Sequence, residues 1–142
     1  MPNSVNRFVP DAAYRIRAAD AAAITADTVI SAGELVSPIG APWNDAVKDG
    51  KVVVFFKASE LDTSTDETYV VNVITSAAAN LSSPAVSVSK TITAAGWYEI
   101  LVDQVSLLKE DPDAKYWGLQ VDVGGTTPSI KIEAYILPPV GK

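Results

Sequence analysis

Several segments between Glu67 and Leu137 keep a period of two. Tyr69, Val71 and Val73 alternate with Val70, Asn72 and Ile74. Tyr98, Ile100 and Val102 alternate with Trp97, Glu99, Leu101 and Asp103. Trp117, Leu119, Val121 and Val123 enclose Gln120 and Asp122, and Ile130, Ile132, Ala134 and Ile136 enclose Lys131 and Glu133. Successive side chains of a strand point to opposite faces, so an apolar row opposite a mixed one marks half-buried antiparallel strands. Val52-Val53-Val54-Phe55-Phe56 lacks the polar row and predicts a strand buried on both faces. Turn residues separate the segments: Asp49-Gly50, Ala94-Ala95-Gly96, and Gly124-Gly125-Thr126-Thr127-Pro128. Roughly seven to nine short strands without a long helix predict an all-β antiparallel sandwich or jelly roll.

The rest of the chain is less periodic. Residues 1–10, between Pro2 and Pro10, read as an extended N-terminal arm, and residues 11–142 as a single domain. Ala12 to Ala26 mixes an alanine-rich stretch with the alternation Tyr14, Ile16, Ala18, and reads as strand. Ser31-Ala32-Gly33 is expected to break the run that follows, with Glu34-Leu35-Val36 as a short strand. Pro38 to Gly50 is expected as a long loop, Leu61–Glu67 as a polar turn, and Ala77–Pro84 as a loop of small residues. Ala85–Thr93 reads as a strand setting Val86, Val88 and Ile92 against serines and threonine. Gln104–Glu110 reads as one or two helical turns, capped by Asp103 and stopped before Pro112. Pro138-Pro139 ends the fold.

The composition narrows the chemistry. The 142 residues include no His and no Cys. Ser-His-Asp and cysteine nucleophiles, thiolate or imidazole metal sites and disulfides are therefore excluded. Eleven basic against 17 acidic residues give a net charge of -6, which argues against nucleic acid. No apolar run approaches the length of a membrane-spanning helix, and the N-terminus lacks the order of a signal peptide, so a soluble protein folded where it is made is expected. Asp62, Ser64, Thr65, Asp66 and Glu67 form an oxygen-rich cluster that reads either as a Ca²⁺ cage or as a solvated hairpin tip. Glu110, Asp111 and Asp113 form a second acidic loop. Glu99, Asp122 and Glu133 lie on outward faces, where carboxylates are expected to keep ordinary pKa values. Neither enzyme activity nor a cofactor is expected. Asn80-Leu81-Ser82 matches a glycosylation acceptor by chance, and Gly124-Gly125 opens no helix and is a turn.

Trp97 precedes Tyr98 and Tyr116 precedes Trp117, so one ring of each pair faces outward. Trp43 sits in the proline-bounded loop. Such rings either cap the ends of a sandwich, anchor a protein partner, or stack on sugars.

The stretch Glu67–Ser76, followed by Asn80-Leu81-Ser82-Ser83-Pro84, resembles the small capsid cement (decoration) proteins of tailed bacteriophages, the family typified by the Bordetella phage cement protein. That family shows the same order of segments: Val52–Phe56, Tyr69–Ser76, Leu81–Pro84, Trp97–Val102, Lys115–Val123 and Ile130–Ile136. The likeness covers roughly residues 20–137, and the stretch before Asp20 is longer than the family pattern. The resemblance implies an antiparallel β-sandwich of jelly-roll type with an extended N-terminal arm. It also implies a homodimer or homotrimer on the outer surface of a phage head, tying capsomers of the major capsid protein together. No catalytic residue is carried over. Contact with the capsid is expected from Arg7, Phe8 and Val9 of the arm, from the basic Arg15 and Arg17, from Trp43, and from Asp62 and Asp66 at the turn tip. The rival expectation is a carbohydrate- or receptor-binding module of a virion that uses Trp97, Tyr116 or Trp43.

Overall fold

The computed structural model describes residues 15–35 and 51–137. The arm expected at residues 1–10, with Arg7, Phe8 and Val9, lies outside the described residues, as does Trp43. The elements are β1 (Arg15–Arg17), β2 (Thr28–Glu34), β3 (Lys51–Ser59), β4 (Thr68–Ser76), β5 (Ala85–Thr91), β6 (Gly96–Asp103), α1 (Gln104–Glu110), β7 (Tyr116–Gly124) and β8 (Lys131–Leu137). The described chain is thus all-β with one short helix, as the alternation predicts. It forms two four-stranded antiparallel sheets, in the orders β1-β8-β3-β6 and β2-β7-β4-β5.

The alternating apolar residues of both sheets meet in one core. Val52, Val54, Phe56 and Ala58 of β3, Ile100 and Val102 of β6, and Ile132, Ala134 and Ile136 of β8 come from the first sheet. Tyr69, Val71 and Val73 of β4 and Trp117, Leu119 and Val121 of β7 come from the second. Each fully buried Val, Leu, Ile or Phe contributes about 1.5–3 kcal/mol relative to exposure. The helix forms as expected at Gln104–Glu110 and buries Leu107.

Four expectations are corrected. Val52–Phe56 is not buried on both faces: Val53 and Phe55 are only half-buried, because the outward face of β3 has no layer over it among the described residues. Ser31-Ala32-Gly33 does not break β2. The strand runs through it with a register shift between Ser31 and Gly33, and Gly33 absorbs the bulge at φ 109. Residues 12–26 are not one strand: among those described, only Arg15–Arg17 pairs as a strand, and Ile24 makes an isolated bridge to Ile130. In β5, Val86 and Val88 are exposed, because this is an edge strand that the core does not reach.

The loop after β4 does more than its small residues suggest. Leu81 and Ile74 are both buried, yet they stand apart from the central core. The loop is held by the Ser76 hydroxyl, which donates to the Ser82 carbonyl at 2.6 Å and accepts the Ala78 N–H at 3.1 Å. Leu81 and Ser83 take positive φ values of 59 and 47, a local strain that the plug of Leu81 offsets.

Candidate interaction surface

The two sheets differ on their outward faces. On the second, Val70, Asn72 and Ile74 of β4 pair with Asp122, Gln120 and Gly118 of β7. The Asn72 amide donates to Gln120 at 3.3 Å, and the Ser89 hydroxyl donates to Asn72 at 2.6 Å. A polar network and the Leu81 loop therefore cover part of this face, which also leaves Val29 of β2 and Val86 of β5 exposed.

The first sheet presents an apolar row instead. Phe55 of β3 lies between Tyr135 of β8 and Glu99 of β6, Lys57 between Glu133 and Trp97, and Val53 between Leu137 and Leu101. Trp97 stacks on Phe55 with ring centroids 4.6 Å apart and planes 8° from parallel. The Lys57 ammonium stands 5.9 Å from the centre of the Trp97 ring. Two neighbours thus fix the indole, yet it remains 45% exposed, and Leu101 is 57% exposed. The chain carries a net charge of -6, but this face is mixed in sign: Arg15, Lys57 and Lys131 share it with Glu99, Asp103 and Glu133. The Tyr135 hydroxyl donates to Glu133, and that bond together with burial holds the phenol above its usual pKa. The sequence showed that one of Trp97 and Tyr98 faces outward. It did not show that Phe55 would meet Trp97, because cross-strand register is invisible in a single strand's pattern.

Trp97 does not cap an end of the molecule; it lies on a sheet face. Tyr116 is half-buried and Trp117 is fully buried. Arg15 pairs with Tyr135 in the first sheet, and the Arg17 guanidinium donates to the Ala22 carbonyl at 2.8 Å, so both arginines belong to the folded domain.

The acidic turn is braced by the chain itself. The Asp62 carboxylate accepts the Ser64 N–H at 3.0 Å and the Ser64 hydroxyl at 2.7 Å. The Asp66 carboxylate accepts the Thr126 N–H at 2.9 Å. Glu67 accepts the Thr65 N–H at 2.9 Å, and from Thr127 the N–H at 3.2 Å and the hydroxyl at 3.0 Å. These donors, those of Thr65 first, hold the Glu67 carboxyl down at about 2, and the Thr126 donors lower that of Asp66. The turn thus clips the hairpin loop between β7 and β8. Gly125 makes room for the clip, since a Cβ there would lie 2.6 Å from the Cα of Glu67.

The expectation of ordinary carboxylate behaviour on outward faces fails at Asp122. Partial desolvation, then the hydrogen bond and the charge of Asp27, raise its pKa. Asp27 also accepts the Val123 N–H at 2.9 Å. A separation of 96 residues between Asp27 and Val123 hides this pair from any local motif.

Among the described residues no group of three or more acidic side chains is placed to hold a metal ion, and no helix is long and apolar enough to cross a membrane. An open cleft beside α1 is lined by Ala77, Leu108, Pro112, Asp113, Ala114 and Lys115. Comparison with family models, curated proteins and solved structures finds no match.

Proposed function

We propose that this protein is a capsid decoration protein: a β-sandwich of jelly-roll type that binds the outside of an icosahedral phage head and stabilises contacts between capsomers of the major capsid protein. The strand connectivity carries the reading. β1 pairs with β8, β2 with β7, β3 with β6 and β4 with β5, so the chain runs as one long hairpin rolled into two sheets. This pairing supports a jelly-roll reading, an architecture common in viral capsids. The order of segments from Val52 to Ile136 that resembles the phage cement family supports the same reading.

A decoration protein works through rigid surfaces repeated over a lattice, where weak contacts gain strength by effective concentration. The braced tip at Asp62–Glu67 and the fixed Trp97 suit that role, as does the lack of His and Cys. In this reading the protein self-associates as a dimer or trimer. Residues 1–10, with Arg7, Phe8 and Val9, form the arm that reaches onto the shell together with Trp43. Arg15 and Arg17 lend their charge from β1.

The test is occupancy on heads assembled from the major capsid protein of the same genome. Full-length protein binds at saturable, symmetry-related sites, and removal of residues 1–10 lowers occupancy. Undiminished occupancy after that truncation overturns the arm, and no binding at all overturns the reading. The exposed indole of Trp97 favours a second reading, a carbohydrate- or receptor-binding module on a virion. Binding to a glycan array that Trp97→Ala abolishes, without any binding to heads, decides for it.

A further inference from the structure

We infer that Asp27 and Asp122 form an acid-closing latch on residues 18–27. In acid the two carboxyls share a proton and hold this strap against the body of the fold; towards neutral pH both ionise and the strap loosens. The latch stands independently of capsid binding and of self-association.

The strap joins β1 of the first sheet to β2 of the second. Its side chains are mostly exposed, among them Ala22, Ala23, Thr25, Ala26 and Asp27. Few apolar contacts therefore hold it, and a segment of this kind opens locally at low cost. Ile24 is the central tie. Its side chain is buried in the core, its N–H donates to the Ile130 carbonyl at 2.7 Å, and the Ile130 N–H donates back at 3.1 Å. The Arg17 guanidinium holds the near end through the Ala22 carbonyl. At the far end the tie is Asp27.

Register sets Asp27 against a like charge. Thr28 pairs with Val121, so one further step along the antiparallel ladder brings Asp27 opposite Asp122. The Asp27 carboxylate there takes the place of a backbone carbonyl and accepts the Val123 N–H at 2.9 Å. It also shares a hydrogen bond with the Asp122 carboxyl. Two carboxyls can share a hydrogen bond only when one of them carries a proton. No basic side chain pairs with either carboxyl among the described residues, where the ion pair is Lys131 with Glu60. On β4 the partner of Asp122 is Val70, which pairs in turn with Thr91 of β5. Along β7 the same-face neighbours of Asp122 are Gln120 and Gly124. The other charged group of the strap is Asp20, exposed at its turn, and Arg17 beside it is turned to Ala22.

Closing the strap takes up the shared proton. Desolvation and Asp27 raise the pKa of Asp122 in the closed state. The latch therefore tightens as pH falls through that raised value towards the ordinary one, and weakens as pH rises back through it. A like-charged cross-strand pair sets the size of the effect at about two- to fivefold in the open population.

The test is amide hydrogen exchange of the full-length protein, followed by NMR between about pH 4 and about pH 7. Each rate is divided by that of an unstructured chain at the same pH. The Ile24, Ile130 and Val123 amides become about two- to fivefold better protected in acid. Val54, paired on both sides in the first sheet, reports global unfolding and shows no such gain. Asp122→Asn gives the three amides at neutral pH the protection that acid gives the wild type, and flattens their pH dependence. Asp27→Asn keeps an oxygen for the Val123 N–H and flattens it too, so the outcome does not rest on one variant. Circular dichroism checks that both remain folded. Wild-type protection that stays flat or falls in acid overturns the latch. So does a pH dependence that survives in the asparagine variants, or an equal gain at Val54, which gives the effect to the whole fold.

Discussion

Leu81 reaches the second sheet where Gly118 leaves room for it. A Cβ on residue 118 would stand 2.8 Å from Leu81 Cδ1 and 2.3 Å from the Ile30 carbonyl oxygen. The pairing of Ile74 with Gly118 puts this gap on the outward face, and the Leu81 loop fills it. Gly118→Ala is expected to destabilise the fold by about 1–3 kcal/mol through overpacking against backbone that cannot yield. Leu81→Ala is expected to cost about 2–5 kcal/mol through the lost burial and the cavity left behind. Urea unfolding of the two variants measures both.

Tyr69 ties the turn before β4 to the start of β8. Its hydroxyl donates to the Asp62 carbonyl at 2.6 Å and accepts the Ser129 N–H at 2.9 Å. Tyr69→Phe keeps the ring in the core but removes both bonds. A loss of about 1–3 kcal/mol is expected, because a backbone donor and acceptor lose their partner. Hydrogen exchange at Ser129 should speed up by more than the global loss of stability explains.

The acid limb of the stability curve should carry the mark of Glu67. Its folded pKa of about 2 lies below the 4.5 of the free side chain. Its contribution is therefore present above pH 4.5 and is lost as pH falls towards 2. Glu67→Gln is expected to lower the melting temperature at neutral pH and to flatten the fall between those limits. Thermal melts in steps of pH read this directly.

Asp122 works in the opposite sense. Its folded pKa is raised by desolvation and by Asp27, so ionising it at neutral pH disfavours the fold. Asp122→Asn should raise the melting temperature at neutral pH. The gain should fade as pH falls through the raised folded value and then the ordinary one, where the wild-type carboxyl is protonated in both states. A substitution that lowers the melting temperature at neutral pH would contradict this account.

Period-two alternation made β4, β6, β7 and β8 legible with their faces, because each has one row of side chains in a shared core. Gln104–Glu110 was legible from its flanking Asp103 and Pro112. β2 was not, since Gly33 reads as a break in the sequence but serves as a bulge once β7 lies alongside. The candidate surface was half legible. The outward turn of Trp97 followed from Tyr98 facing the core. Its stacking on Phe55 and the meeting of Asp27 with Asp122 depend on register between distant segments. The tip carboxylates were visible as a cluster, but their partners Thr126 and Thr127 lie 60 residues away.

The central claim is decoration of a phage head. The most direct measurement is cryo-electron microscopy of shells co-assembled from this protein and the major capsid protein encoded in the same genome. The account predicts extra density on the outer surface at symmetry-related positions, fitted by two four-stranded sheets in the orders β1-β8-β3-β6 and β2-β7-β4-β5. Shells with bare outer surfaces, while folded protein remains in the unbound fraction, would contradict it.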